Sequence, residues 1–176
     1  MEITVAYTQL LQFAQRVFER MGCSAADAAL ASRVLLQADL RGIDSHGIAR
    51  LSGYVRLWEA GRINSTPQLR VVHETPSTAV VDGDSGLGLV VAPFAMQVAI
   101  EKAKRVGTGW VSVQNSNHFG IAGYHALLAL EHDMIGVAMT NASALVAPTF
   151  SKERLPGTST FSCPCTGVAP RKRRSH

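Results

Sequence analysis

The sequence has few cysteines and no long hydrophobic run. Only three cysteines occur among 176 residues, and two of them crowd into Cys163-Pro164-Cys165, which argues against a disulfide framework and fits a reducing compartment. No stretch approaches the roughly 18 apolar residues that span a bilayer. The first residues, MEITVAYTQL, lack a basic region followed by an apolar run, so we expect no signal peptide. The sequence therefore predicts a cytoplasmic protein with no membrane partner.

Apart from residues 171–174, the chain carries no excess of positive charge. Its net charge of +4 arises from 17 basic and 13 acidic residues, and four of the basic residues form the run RKRR at 171–174. The other residues carry 13 charges of each sign, so we expect no nucleic-acid partner. With 47% apolar and 17% charged residues, the sequence predicts a folded chain with a sizeable core and not a disordered one.

The spacing of apolar residues predicts a helical beginning followed by alternating helices and strands. Predicted helices cover residues 7–21, 24–42 and 48–60, and Ser24 with Asp27 forms a capping box at the second. The later elements are a hairpin of strands 69–73 and 78–81, a helix 90–106, a strand 109–113, a helix 121–132 and a strand 135–140. This order predicts an α/β layered fold. We divide the chain into 1–68, 69–155 and a divergent, disordered tail 156–176.

The segment RGIDSHGIAR at residues 41–50 is the first candidate for chemistry. His46 lies between two glycines at a helix junction, and Arg50 follows one turn later. A guanidinium can bind a carboxylate through two hydrogen bonds, and an imidazole can polarise or protonate a neighbouring carbonyl. The alternative is a capped helix start in which Asp44, Ser45 and His46 bond only to the backbone.

Two other functions of these polar residues are disfavoured. Asp44, Ser45 and His46 are adjacent in sequence, and such neighbours rarely converge as a hydrolase triad; the Gly-x-Ser-x-Gly elbow is also missing. His118, His125 and His132 are seven residues apart, whereas zinc ligands on a helix are three or four apart. We therefore expect a solvated histidine stripe and no metal.

The segment NSNHFG at residues 115–120 is the second candidate. It follows a predicted buried strand and precedes a helix, and ligands of α/β sheets bind at the carboxyl ends of strands. His118 is thus a candidate general acid or base, and a helix cap with a surface histidine is the equal alternative. The segment DGDSGLGL at 82–89 imitates a dinucleotide fingerprint, but Val91 occupies the place of its third glycine. A tight turn that leads into the next helix is the better interpretation.

Several blocks, in one order along the chain, resemble the malate/L-lactate dehydrogenase family of non-Rossmann type. The blocks are DSHGIARLSGY, VVDGDSGLG, NSNHFGIAGY, MTNASALVAP and PGT, between about residues 3 and 158. The resemblance implies an α/β fold peculiar to that family, a helical N-terminal segment and commonly a homodimer. It also implies that a nicotinamide cofactor, NAD or NADP, interconverts a small 2-hydroxy acid and a 2-oxo acid.

Carried over by position, the resemblance assigns roles to individual residues. His118 would relay the proton to the substrate oxygen, and His46 would line the same site as the other candidate for that role. Arg50 would hold the substrate carboxylate, with Ser45 and Tyr54 nearby.

The segment Thr140-Asn141-Ala142 would form the edge of the cofactor site by the same resemblance. The nicotinamide carries the hydride, so the protein would supply a proton donor, a carboxylate clamp and orientation.

The C-terminal residues depart from the family pattern. After Pro156-Gly157-Thr158 the chain continues with serine, threonine, the two cysteines and the basic run, where the family continues with Asn-Pro. We interpret the tail as foreign to the family, as a change of reading frame near 156–160 would produce. The expected fold is then an N-terminal half whose sheet is incomplete at the C-terminus. A catalytically inactive fragment or a dimerisation remnant is the alternative to an enzyme.

Overall fold

Three helices form the first part of the chain, as the sequence predicts. In the computed structural model, which describes residues 4–141 and residue 152, α1 spans Tyr7–Arg20, α2 spans Ala25–Leu36 and α3 spans Leu51–Glu59. The Ser24 hydroxyl accepts from the Asp27 backbone N–H at 3.1 Å and donates to the Asp27 carboxylate at 2.7 Å. The predicted start of α2 is therefore confirmed.

The segment between α2 and α3 is less helical than predicted. The second helix ends at Leu36 instead of near residue 42, and three short 3-10 helices follow: Asp39–Arg41, Asp44–His46 and Ile48–Arg50. Gly42 adopts a left-handed φ of 69°, and the Asp39 carboxylate accepts from the backbone N–H of Ile48 at 2.8 Å. These local bonds replace an α-helical ladder, so the backbone turns sharply before α3.

A three-stranded sheet follows the helices. β1 (Arg70–Glu74) pairs antiparallel with β2 (Thr78–Gly86), and β2 pairs in parallel with β3 (Trp110–Ser116), in the order β1-β2-β3. The predicted hairpin is confirmed, and its turn is closed by the Thr75 N–H, which donates to the Thr78 carbonyl at 2.9 Å. The sheet is therefore mixed, with one antiparallel and one parallel pair of strands.

The helix α4 (Gly88–Val106) covers one face of the sheet and connects β2 to β3. Val91 and Ala95 of α4 pack on Val81 of β2, while the larger core cluster joins α1, α2 and α3 to the start of α4. After β3, α5 (Ala122–Leu128) continues into a 3-10 helix (Ala129–His132). The mixed α/β class predicted from the sequence is confirmed.

Two predicted elements differ at their ends. The segment 82–89 is not a tight turn: β2 continues to Gly86 through an irregular stretch in which Asp84 and Ser85 have positive φ angles of 48° and 57°. The Asp84 carboxylate accepts from the Asn64 amide and from the Gln68 backbone N–H, at 2.9 and 3.0 Å. These bonds to a distant loop hold the irregular backbone, and they are invisible in the local sequence pattern.

The predicted strand 135–140 is not formed. Residues 134–139 have no regular structure, Thr140 makes a single bridge, and the Ile135 side chain is 89% exposed. Within the described residues the sheet has the order β1-β2-β3, and residues 135–139 are not part of it. The predicted tail at 156–176 lies outside the described residues. None of the helices described is long and apolar enough to cross a membrane.

Candidate active site

The carboxyl end of β3 brings His118 onto the side chain of Tyr54 in α3. The Tyr54 hydroxyl lies 2.7 Å from His118 Nδ1, and the Gly120 backbone N–H donates to the same nitrogen at 3.3 Å. A backbone N–H can only donate, so Nδ1 is unprotonated, Tyr54 donates to it as well, and the neutral ring carries its proton on Nε2. Tyr54 is 2% exposed and packs against Phe18, which fixes its hydroxyl.

His46 stacks on His118. The two ring centroids are 5.6 Å apart, with 28° between the ring planes. The Ser45 hydroxyl contacts His46 Nδ1 at 2.9 Å, and Arg50 Nε donates to the Ser45 carbonyl oxygen at 2.7 Å. The predicted residues of the first segment therefore form one interlocked turn beside His118, and the interpretation as a helix cap alone does not describe them.

Burial and charge depress the basicity of both imidazoles. Burial, the His46 ring and the Arg50 guanidinium lower the pKa of His118 below its usual value. Burial and Arg50 likewise lower the pKa of His46. Burial raises the pKa of the Tyr54 phenol well above its usual range, so this hydroxyl keeps its proton at neutral pH. Near pH 7 the site therefore presents neutral imidazole rings and a neutral phenol beside the Arg50 guanidinium.

These side chains border a cavity of about 280 Å³. Its lining consists of Arg50, Gly53, Tyr54, Arg56, Leu57 and His118. Pockets for drug-sized ligands have volumes of ~300–1,000 Å³. This cavity is therefore of a size for a small ligand.

Not every predicted site residue reaches the cavity. Ser45 is exposed and hydrogen-bonds to His46 and Arg50 without lining the cavity. His46 is not among the lining residues either, but its ring stacks on His118, which is. The Thr140 hydroxyl donates to the Asn141 carbonyl at 3.1 Å, with no bond to the histidine cluster within the described part of the chain. Ala142 lies outside the described residues.

Close backbone approaches position the His118 segment. A Cβ added to Gly88, at the start of α4, would collide with the carbonyl oxygens of Asn117 and His118. The Asn117 side chain donates to the Ser85 and Gly86 carbonyls at 2.8 and 3.1 Å, which ties the segment to the end of β2. The irregular end of β2 thus supports the histidine.

Replacing Gly88 with alanine should therefore destabilise the fold where α4 meets the His118 segment. The added methyl group must push the His118 segment away, because two backbone carbonyls occupy its place. We expect the free energy of unfolding to fall by about 1–3 kcal/mol, as at other overpacked sites. Urea unfolding measures it, and Gly53→Ala is the control because nothing lies within 4 Å of a Cβ there. Equal stability of the two variants would contradict this account.

His125 corrects the prediction of a solvated stripe. Its side chain is 1% exposed, its Nε2 bonds the Phe119 carbonyl oxygen at 2.8 Å, and its Nδ1 has no partner within the described residues. Burial lowers its pKa from 6.5 to about 4, partly offset by the bond to Phe119. Only His132 of the predicted stripe is a simple exposed histidine.

This burial predicts acid sensitivity. Between pH 6.5 and about 4 the unfolded chain binds a proton at His125 and the folded chain does not. The free energy of unfolding should therefore fall as the pH drops through that window, by roughly 3 kcal/mol from this group. Urea unfolding at pH 7 and pH 4.5 measures how much free energy of unfolding is lost on acidification. This loss should be smaller in His125→Gln than in the original chain, and in His132→Gln it should equal that of the original chain. The same pH dependence in all three would refute the assignment.

Sequence reasoning missed three contributors to the site. Asp39, which bonds Ile48, also fills the space beside Gly47, so that a Cβ there would collide with its carboxylate. Arg56 lines the cavity, and His125 lies buried under the His118 segment. Arg50, Gly53 and Leu57 are three and four residues apart, a spacing that places them on one face of a helix, and that face lines the cavity. No local sequence feature distinguishes His125 from His132.

Comparison with known proteins identifies the lineage. The family model for malate/L-lactate dehydrogenase matches residues 5–173, so the match continues past residue 158, where we expected the resemblance to end. A malate dehydrogenase of Pyrococcus abyssi is 46% identical over 170 residues, which are 97% of this chain and 46% of that protein. An L-sulfolactate dehydrogenase of Methanocaldococcus jannaschii is 47% identical over 143 residues, covering 81% of this chain and 42% of that protein.

Solved structures agree with the sequence matches. The malate dehydrogenase of Pyrococcus horikoshii OT3 superposes with a TM-score of 0.83 at 48% identity, over 89% of this chain and 45% of that one. The chain thus spans a little under half the length of the relatives it matches. The family match over residues 5–173 and the shared fold show that the chain belongs to the malate/L-lactate dehydrogenase family.

Proposed function

We propose that this chain carries the substrate side of an NAD(P)-dependent oxidoreductase that interconverts a 2-hydroxy acid and a 2-oxo acid. The observation that carries the proposal is the convergence of Arg50, Tyr54 and His118 on one small cavity. A cation, a fixed phenol and an imidazole are the groups needed to hold a carboxylate and move a proton at the adjacent carbon's oxygen. The names of the relatives, malate and L-sulfolactate dehydrogenases, fit the same chemistry.

Arg50 binds the carboxylate in this proposal. Its Nε is committed to the Ser45 carbonyl, and that bond orients the guanidinium while leaving the terminal nitrogens for the ligand. A planar guanidinium donates two parallel hydrogen bonds to a carboxylate. Arg50 thereby places the keto or hydroxyl oxygen of a 2-substituted acid toward the histidines.

His118 moves the proton. In the reductive direction the imidazolium donates its Nε2 proton to the substrate oxygen, and the neutral ring then keeps a proton on Nδ1. The Tyr54 hydroxyl accommodates that state by accepting from Nδ1 and turning its own proton to the His118 carbonyl oxygen, which lies 3.4 Å away. In the oxidative direction the same steps run backwards. His46 remains the second candidate for this role.

Substrate binding and proton transfer are coupled through Arg50. The guanidinium lowers the pKa of His118 in the free chain. A bound carboxylate neutralises that cation, so the pKa of His118 rises when substrate arrives. The site therefore takes up its proton when there is an oxygen to receive it.

A nicotinamide would supply or accept the hydride when bound. Thr140 and Asn141, which are not among the residues that line the cavity, form with Ala142 the segment that we propose for the edge of its site. The choice between NAD and NADP belongs to surfaces beyond this cavity. We further propose the helical segment 1–68 as part of the substrate domain, and a cytoplasmic homodimer as the working form.

A cofactor and turnover assay tests the proposal. The chain is mixed with NADH or NADPH, and absorbance of the reduced nicotinamide is followed with pyruvate, oxaloacetate and acetone, which lacks the carboxylate. We expect cofactor binding and consumption with the acids, and none with acetone. A chain that binds neither cofactor, and turns over no acid, would be the inactive fragment or dimerisation remnant instead.

A further inference from the structure

We propose that His125 is a positioning residue for His118 and acts through the single peptide group between Phe119 and Gly120. The carbonyl oxygen of that group accepts from His125 Nε2 at 2.8 Å, and its N–H donates to His118 Nδ1 at 3.3 Å. A peptide group is planar and rigid. Fixing the direction of its C=O therefore fixes the direction of its N–H. The proposal rests on the proposed function of His118.

The two hydrogen bonds also determine where the protons lie. A carbonyl oxygen only accepts, so His125 carries its proton on Nε2 and keeps a bare Nδ1. Donation to the carbonyl polarises the amide and makes its N–H a stronger donor. In the free, neutral ring that N–H keeps Nδ1 of His118 unprotonated, with the proton on Nε2. It therefore opposes the second proton, on Nδ1, that the imidazolium of the proposed mechanism carries, and it holds the ring neutral until a substrate binds.

Packing holds the His125 ring in this orientation. The ring stacks on Phe119, with centroids 4.8 Å apart and 16° between the planes, and Tyr124 meets it edge-on at 5.4 Å. Burial also lowers the pKa of His125 to about 4, so the ring stays neutral while it donates.

Stability alone does not account for a histidine at this place. Its Nδ1 is buried without a partner in the described part of the chain, and an unsatisfied buried polar atom costs free energy that an apolar side chain avoids. The compensating feature is the hydrogen bond to the peptide group that contacts His118. His125 therefore acts on the site through the backbone and does not touch the substrate.

Nitrogen-15 NMR of the histidine ring nitrogens is the direct test. In the original chain, at pH 8, His118 should show an unprotonated Nδ1 and a protonated Nε2. His125→Phe keeps an aromatic ring against Phe119 and removes the donor, so His118 should populate both tautomers. His125→Gln retains an amide that reaches the carbonyl and should restore the original pattern.

Kinetics provide the second readout. The pH above which kcat for the 2-oxo acid falls should move upward in His125→Phe, because the N–H that opposes a proton on His118 Nδ1 becomes a weaker donor, and His125→Gln should move it back. His132→Phe, at an exposed position, is the matched control and should leave that pH unchanged. If His125→Phe fails to fold, His125→Asn, whose amide is too short to reach the carbonyl, replaces it as the variant that lacks this hydrogen bond.

The outcomes separate the two proposals. Unchanged tautomers of His118 in a folded variant without that hydrogen bond overturn the role of His125, and so does an equal shift of the pH profile in the Phe and Gln variants. A chain with no turnover at all refutes the proposed function, while the ring-nitrogen spectra still decide whether His125 orients His118.

Discussion

His118→Asn should reduce kcat for a 2-oxo acid by a factor of about 10² to 10⁴, the range for losing a general acid. Asparagine keeps a polar group near Tyr54 but has no proton to give at the position of Nε2. KM should change little, because the carboxylate is held by Arg50, which this substitution leaves in place. Steady-state kinetics with the reduced cofactor measure both quantities.

Two controls make that result specific. His132→Asn alters an exposed histidine outside the cavity and should retain full activity. Far-UV circular dichroism checks that the His118 variant is folded. Retention of more than a tenth of the original kcat would assign the proton transfer to His46, the ring stacked beside His118.

Arg50→Gln should raise KM for the 2-oxo acid about 30- to 100-fold, because the hydrogen bonds of a charged guanidinium to a carboxylate are lost. It should also raise the pKa of His118, since the Arg50 cation is one of the causes that lower it. The pH above which the reductive reaction loses its acid should accordingly move upward. Kinetics across pH, together with NMR titration of His118, measure the two effects.

Arg50→Lys separates charge from geometry. Lysine keeps the cation and lacks the planar fork, so KM should still rise while the titration of His118 stays close to that of the original chain. Arg16→Gln, on the exposed face of α1, is the control for a change in net charge. An unchanged KM in both Arg50 variants would exclude Arg50 as the carboxylate site.

Much of the local structure was predictable because its causes are local. Ser24 and Asp27 predict the start of α2, and their side chains make the capping bonds. The turn between β1 and β2 is likewise closed by Thr75 and Thr78, two residues of the predicted hairpin. In each case the interacting groups are three residues apart, so the sequence contains both partners.

The misplaced boundaries have distant causes. β2 continues to Gly86 because Asp84 bonds Asn64 and Gln68, which lie 20 and 16 residues away. The predicted strand at 135–140 has the composition of a strand but no paired neighbour in the described sheet. Strand formation needs hydrogen bonds to another segment, which composition does not supply.

By itself the sequence determined the family and the α/β class, and it predicted the two segments that carry the candidate site, since those depend on residue types and their order. Only the tertiary structure decided that Tyr54 meets His118 across 64 residues, and that His46 stacks on the same ring. It also separated buried His125 from exposed His132, two histidines with the same sequence spacing. The tautomer and basicity of each ring depend on which groups surround it in space, and a linear spacing contains no such information.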